Sequence, residues 1–218
     1  MANKIFGFTL AEVLVTLGII GVVSALTIPT FVRNHQKQVY VAQLKKAYSI
    51  IAQAADLAFN DTNAVTLAET KYNRSEDEYG LNFMQTYFKV ANVCEDSSTP
   101  CFAENYKTLN GQTFRGIGKR WTSVSLANGM SIQMWGMLSD HHYGDIIHHG
   151  YSAIYVDING PEGPNVVGRD LFYLELYSDG KLDDGYYNDK SDFCDGEDVT
   201  YGLGCLDKII NAGWKMDY

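Results

Sequence analysis

The sequence predicts an α+β protein in which one long N-terminal helix packs on an antiparallel sheet of about four strands. Three observations support this fold class. An apolar run of helical length, residues 8–32, is followed directly by an amphipathic stretch, residues 33–59. Beyond residue 120, segments that alternate polar and apolar residues are separated by turn residues. Four cysteines beyond the helical part predict loops that are stapled by disulfides.

The apolar run is long enough as a helix to cross a bilayer core of about 30 Å. From Phe8 to Val32, the only ionisable side chain is Glu12. A carboxylate in a hydrocarbon layer is costly unless it finds a partner, so Glu12 is predicted to be functional. Pro29 lacks a backbone N–H and crowds the carbonyl of Ala25, which predicts a kink or a locally melted turn.

The amphipathic stretch continues the same helix to about Phe59, because its apolar residues recur at three- and four-residue spacing. Residues 60–63 favour turns and are predicted to end the helix. Residues 76–90 are rich in apolar side chains and predict a short helix or an irregular segment that lies on the sheet.

Strand patterns follow in the second half of the chain. Residues 123–135 alternate on both sides of Asn128-Gly129, the dipeptide that a type I′ hairpin turn prefers. Residues 151–158 predict a third strand and residues 171–177 a fourth. One face of this sheet and the apolar face of the helix can bury each other.

The beginning of the chain has a more specific pattern. The residues that carry it are Lys4, Gly7, Phe8, Thr9, Leu10, Glu12, Gly18, Gly21 and Pro29. They resemble the class III signal of type IV pilins and type II secretion pseudopilins, and this likeness covers about the first tenth of the chain. The resemblance implies that a prepilin peptidase cuts between Gly7 and Phe8 and then methylates Phe8. It also implies that Glu12 meets the N-terminal amine of a neighbouring subunit.

The resemblance divides the chain into four parts. Residues 1–7 are a leader, residues 8–32 are a helix for membrane spanning and polymerisation, residues 33–59 are its amphipathic continuation, and residues 60–218 are an extracytoplasmic head. Gly18, Gly21 and Pro29 belong to the assembly segment in this division. The two glycines suit close packing between helices and flexibility equally well.

The implied function is that of a structural subunit of a type IV pilus or a type II secretion pseudopilus, not of an enzyme. Such a subunit requires no cofactor. Its implied partners are other pilin-like subunits, the prepilin peptidase, membrane lipid, and an inner-membrane assembly platform with its ATPase. It would pass once through the inner membrane, with its head in the periplasm or, after assembly, on the cell surface.

A plain signal anchor and the opposite membrane orientation are the two alternatives to this interpretation of the apolar run. An ordinary signal anchor would need no motif, but it has no reason to place a glutamate near the start of its apolar run. The distribution of cations alone gives the opposite orientation, because Lys4 is outnumbered by the cations that follow the run. Those cations are Arg33, Lys37, Lys45 and Lys46. The resemblance decides the orientation.

The overall charge restricts the partners. A net charge of −9 and a sequence pI near 4.9 argue against nucleic-acid binding, because phosphate neutralisation needs clustered lysines and arginines.

The four cysteines, Cys94, Cys101, Cys194 and Cys205, allow three pairings. Local pairing of Cys94 with Cys101 and of Cys194 with Cys205 is favoured, because each bond would staple a short irregular loop. The second of these loops resembles the C-terminal disulfide loop of pilins. Disulfides agree with an extracytoplasmic head.

Two side-chain clusters suggest metal ions. An acidic, glycine-rich stretch near the C-terminus is a candidate calcium site, since major pseudopilins hold a structural calcium in this neighbourhood. Its candidate ligands are Asp183, Asp184, Asp189, Asp192, Asp195 and Asp198. The other reading of this stretch is a solvated loop.

The second cluster consists of the histidine pairs His141, His142, His148 and His149. One histidine from each pair could bind a transition metal if the pairs converge across a loop. This gives the alternative function, a membrane-anchored extracytoplasmic metal-binding protein. The other reading is an exposed polar loop.

Overall fold

The computed structural model describes residues 7, 9–72, 77–95, 97–118, 121–135, 141–143, 146–148, 151–184, 194 and 202–218. The helices in this part are α1 (Leu10–Thr62), α2 (Asp77–Tyr87) and α3 (Cys205–Asn211), with a 3₁₀ turn at Leu67–Glu69. The strands are β1 (Val90–Cys94), β2 (Tyr106–Lys107), β3 (Thr113–Phe114), β4 (Thr122–Leu126), β5 (Ser131–Met134), β6 (His141–Tyr143), β7 (Ile146–His148), β8 (Tyr151–Asp157), β9 (Leu171–Tyr177) and β10 (Leu182–Asp183). The chain forms two compact units, residues 1–39 and residues 40–218.

The first unit contains the apolar beginning of α1. This helix is long and apolar enough to cross a membrane, and the side chains of its apolar segment are unburied. The backbone stays helical on both sides of Pro29, so the expectation of a locally melted turn is wrong. A proline removes one N–H donor, and the neighbouring hydrogen bonds of a long helix are enough to keep its geometry. The predicted kink remains a prediction.

The second unit is built on a six-stranded antiparallel sheet with the order β1-β4-β5-β8-β9-β10. The four predicted strands form its centre, so the prediction of about four strands is two short. The additional strands, β1 and β10, lie at the two edges. Two further pairs, β2 with β3 and β6 with β7, form small separate sheets. The four strands of these pairs are two or three residues long, which is too short for an alternating pattern to identify.

The later half of α1 belongs to the hydrophobic core of the second unit. Its buried residues are Val41, Leu44, Ala47, Ile51, Ala54, Ala55 and Ala58. They recur at spacings of three and four, as one helix face requires. The predicted α+β class, with a long helix on an antiparallel sheet, is therefore confirmed. The helix ends at Thr62, three residues beyond the predicted end at Phe59.

The hairpin between β4 and β5 is present, but its turn is not of type I′. Such a turn needs positive φ at both central residues, and Asn128 does not have it. Gly129 has φ 89°, and its N–H donates to the carbonyl of Leu126 at 3.0 Å. The loop is therefore one residue longer, and only Gly129 occupies the left-handed region.

Candidate functional site

The N-terminal end of α1 is closed by a reciprocal pair of side chains. The Thr9 backbone N–H and the Thr9 hydroxyl both donate to Oε2 of Glu12, each at 2.8 Å. The Glu12 N–H in turn points to Thr9 Oγ1 at 3.3 Å. This arrangement is a capping box, in which a threonine before the helix and a glutamate three residues later satisfy each other's backbone donors. Glu12 therefore has a local partner within its own chain.

Thr9 is a residue of this site to which the sequence reasoning gave no role. Its signal was present, because Thr-x-x-Glu before an apolar run is the pattern of a capping box. Gly7 is exposed at the predicted cleavage point, and Phe8 lies outside the described residues. The processing role of Gly7 and Phe8 and the assembly role of Glu12 remain predictions.

The apolar segment of α1 presents its side chains outward in every direction. The exposed large side chains include Leu10, Val13, Leu14, Val15, Leu17, Ile19, Ile20, Val22, Val23, Leu26, Ile28, Phe31 and Val32. No atom lies within 4 Å of the position that a Cβ would occupy at Gly18 or Gly21. Because Gly18 and Gly21 have no side chain, the backbone of another helix could approach α1 closely at these two positions. Their predicted roles in assembly, and that of Pro29, remain predictions.

The disulfides join the cysteines that local pairing predicts, Cys94 with Cys101 and Cys194 with Cys205. All four cysteines are buried. Gly168 lies against the second bond, because a Cβ there would meet Cys205 Sγ at 2.8 Å. The loop that ends β8 is therefore packed directly on the C-terminal disulfide.

That loop, residues 157–170, is held by two fully buried carboxylates. Asp157 accepts the Tyr106 hydroxyl at 2.5 Å and the Asn159 N–H at 3.2 Å. Asp170 accepts the N–H groups of Asn165 and Val166, each at 2.6 Å. Burial raises the pKa of Asp157 to about 8, and the nearby charge of Asp170 adds to this effect. Burial also raises the pKa of Asp170. The carboxylate oxygens of Asp157 and Asp170 therefore accept hydrogen bonds from groups of the same chain.

A third buried carboxylate, Glu175, lies in β9 between two tyrosines. It accepts the hydroxyls of Tyr173 at 2.9 Å and of Tyr177 at 2.7 Å. Burial raises the pKa of Glu175 to about 7, and the charges of Asp183 and Asp207 act in the same direction. The sequence reasoning missed this group, although a lone glutamate with tyrosines two residues away on either side indicates a shared strand face.

The predicted calcium ligands are only partly within the described residues. Asp183 and Asp184 are described, whereas Asp189, Asp192, Asp195 and Asp198 lie outside. Asp207 of α3 joins the first two, and ligand oxygens of the three carboxylates lie within 4.8 Å of one another. Asp207 was not among the predicted ligands, because it belongs to α3 and lies beyond the acidic, glycine-rich stretch that ends at Asp198.

Asp184 already has a structural role in this group. It accepts the N–H groups of Leu206 at 2.6 Å and Asp207 at 3.2 Å, so it caps the N-terminal turn of α3. Burial raises the pKa of Asp184, and the charge of Asp207 acts in the same direction. Within the part of the chain that the structure describes, each of the three carboxylates contributes one converging oxygen, which is three of the six to eight that calcium takes.

The histidine pairs lie partly in a small two-stranded sheet. The backbone register places His141 opposite His148 and His142 opposite Ile147. His149 lies outside the described residues. One histidine of each pair, His141 and His148, thus occupies a paired position across the two strands. Transition-metal binding by these residues remains a prediction.

Residues 2–28 match the family model of the prokaryotic N-terminal methylation motif, which is the prepilin-type signal of type IV pilins and pseudopilins. Comparison with curated proteins and with solved structures finds no match to the chain. The motif indicates a pilin-like structural subunit. It implies processing by a prepilin peptidase and assembly with pilin-like subunits. Together with the apolar helix, it indicates membrane anchoring and exposure outside the cell.

Proposed function

We propose that the chain is stored in the inner membrane by a single pass of α1 and is polymerised from there into a type IV pilus or a type II secretion pseudopilus. The match of residues 2–28 to the methylation motif is the observation that carries this proposal. In the proposed division, residues 1–7 are removed, residues 8–32 span the membrane, residues 33–59 continue the helix, and residues 60–218 form the head. An assembly platform and its ATPase extract the subunit.

The chemistry of Glu12 gives the proposal its mechanism. Cleavage after Gly7 would create an amine at Phe8, which is charged at neutral pH. In a medium of low dielectric constant, this amine and the carboxylate of a neighbour attract each other strongly, and each is costly when unpaired. The capping box with Thr9 stabilises Glu12 in the single subunit through hydrogen bonds but supplies no opposite charge. The amine of a neighbouring subunit therefore favours the assembled state.

Replacement of the carboxylate tests this mechanism. We expect Glu12→Ala to be cleaved and inserted normally but to yield no filaments, because removing one partner of a buried ion pair costs about 3–5 kcal/mol. The measurement is the amount of subunit in the sheared filament fraction, with the mass of the mature chain as the control for cleavage. Glu104→Ala, which removes an exposed carboxylate of the head, should assemble like the natural protein. Normal filament yield from Glu12→Ala would contradict the proposal.

The metal-binding alternative is not favoured, because the methylation motif indicates a subunit that assembles. We also propose that this pilin-like subunit binds a structural calcium ion near Asp183, Asp184 and Asp207. A ligand that binds only the folded state raises the melting temperature. Calcium should therefore raise the melting temperature of the mature protein above its value in chelator, with magnesium as the control. Equal melting temperatures in calcium and in chelator would contradict calcium binding.

A further inference from the structure

The part of the second unit where the chain enters it carries cations close to aromatic rings. Lys45 Nζ of α1 lies 5.2 Å from the centroid of the Trp214 ring, and the Tyr48 ring meets Trp214 edge-on at 5.7 Å. Lys208 Nζ of α3 lies 5.5 Å from the centroid of the Tyr218 ring. The C-terminal segment thus lies between α1 and α3, and its rings are held by cation–π contacts.

The same surface continues to the loop that ends β8. The Tyr218 hydroxyl donates to the carbonyl of Gly168 at 2.7 Å, and the next residue, Arg169, is exposed. Tyr40 of α1 is half-buried and within reach of the charges of this loop: burial raises the pKa of its hydroxyl, the charge of Asp170 adds to this effect, and the charge of Arg169 opposes it. We call this surface the basal patch. It consists of Tyr40, Lys45, Arg169, Lys208, Trp214 and Tyr218.

The basal patch is basic although the protein is acidic. With Lys46 and Lys215 at its margin, it has five cations. Among the residues that the structure describes, Asp183, Asp207 and Asp217 carry the opposite charge nearby, while Asp170 is buried. The whole chain has a net charge of −9, so this local excess of positive charge runs against the composition.

A short stretch of chain tethers the basal patch to the proposed membrane anchor. Tyr40 follows Val32, the last residue of the apolar run, by eight residues. Eight residues reach at most about 28 Å even when fully extended. Lysine and arginine near a bilayer surface are attracted to anionic headgroups, and tryptophan and tyrosine favour the interface between lipid and water. Both residue types of the patch therefore suit the surface to which the chain tethers it.

We propose that the basal patch docks on anionic phospholipid headgroups of the membrane that holds α1, before the subunit is assembled. This inference rests on the proposed membrane anchoring. It adds a lipid-binding surface on the head, which the methylation motif does not include. Docking would hold the head against the bilayer, and extraction of the subunit would have to release it.

The test uses the mature full-length protein in lipid vesicles. The natural chain has three tryptophans, so Trp121→Phe with Trp135→Phe leaves Trp214 as the only one. Its fluorescence is measured with a headgroup-labelled quencher in vesicles of phosphatidylcholine alone and in vesicles with about one-third phosphatidylglycerol. We expect quenching to be at least about twofold stronger with phosphatidylglycerol, since each cation shifts the docking equilibrium about fivefold. Strong salt should abolish the difference.

Charge reversal in the basal patch provides the control for specificity. Lys45→Glu with Arg169→Glu should remove the effect of phosphatidylglycerol, whereas Lys89→Glu with Arg115→Glu, which reverses two exposed cations outside the patch, should preserve it. If the double phenylalanine variant does not fold, deuterium exchange of residues 213–218 in the natural protein gives the same comparison, with slower exchange expected in phosphatidylglycerol.

Three results would overturn the inference. The first is quenching that is independent of phosphatidylglycerol, and the second is an effect that persists in Lys45→Glu with Arg169→Glu. The third is quenching that rises with the number of subunits per vesicle but not with anionic lipid, which would assign the patch to a second copy of the chain. If the protein floats with both kinds of vesicle but shows one of these results, the proposed anchoring is retained and only the proposed docking surface is contradicted. A protein that floats with neither contradicts the anchoring itself.

Discussion

Glu12 caps α1 in the structure and has a second role in the proposed filament. In the single chain, its carboxylate completes a capping box with Thr9 and so stabilises the first turn of α1. In the proposed filament, the same carboxylate meets a charged amine. The two roles differ in charge, because the hydroxyl and the N–H of Thr9 are neutral donors. The cap therefore stabilises the Glu12 carboxylate in the single subunit, and pairing with a charged amine would still lower the free energy of the proposed filament.

Glu175 is a residue at which burial links the stability of the fold to pH. Burial raises the pKa of Glu175 to about 7 in the folded protein, above the ordinary value of a glutamate. The folded state therefore binds the proton more tightly than the unfolded state does. This contribution to stability is fully present below about pH 4.5 and is lost as the pH rises through about 7.

The prediction for Glu175 is a change in the pH dependence of unfolding. The natural protein should lose stability between about pH 5 and pH 8, by up to about 3 kcal/mol from this group. Glu175→Gln cannot titrate, so its loss over the same range should be smaller. The measurement is the free energy of unfolding in urea at several pH values for the mature protein. Parallel pH profiles for the two proteins would contradict the assignment.

At the scale of elements, the loop of residues 157–170 is fixed by its own side chains rather than by regular secondary structure. Asp170 satisfies two backbone donors at the start of the return to β9, and Asp157 ties the other end of the loop to Tyr106. Gly168 then brings the backbone against the disulfide of Cys194 and Cys205. The loop thus connects the sheet to the C-terminal segment.

Asp170→Ala should destabilise the second unit by about 3 kcal/mol, because the half-buried N–H groups of Asn165 and Val166 would lose their acceptor. Asp170→Asn should cost less, since its amide oxygen can still accept one of them. The measurement is the free energy of unfolding of each variant in urea. Glu162→Ala changes an exposed residue of the same loop and should stay within about 0.5 kcal/mol of the natural protein. An equal loss in Asp170→Ala and Glu162→Ala would contradict this account of the loop.

The elements that could be predicted are those whose pattern is long enough to repeat. The bounds of β9 were predicted as they are found, and those of β8 to within one residue, because seven residues display strand character clearly. β10 has two residues and depends on pairing with β9, so nothing local indicates it. The turn at Asn128-Gly129 was placed correctly but mistyped, since Gly129 alone takes the positive φ that the loop requires.

At the scale of the whole molecule, the chain consists of an apolar first unit, residues 1–39, and an acidic second unit, residues 40–218. The site at the N-terminus could be predicted because its residues are contiguous, and the motif match at residues 2–28 confirms the resemblance. The groups that converge in the second unit could not be predicted, because Asp184 meets Asp207 only after β10 and α3 have packed. Tertiary contacts of this kind leave no local pattern in the sequence.

The mass of the mature N-terminus distinguishes a processed subunit from a plain signal anchor. Mass spectrometry of the protein from cells that contain a prepilin peptidase should find a chain that begins at Phe8 with one added methyl group. The same protein from cells without the peptidase should begin at Met1 and serves as the control. A chain that retains Met1 in the presence of an active peptidase would contradict the account.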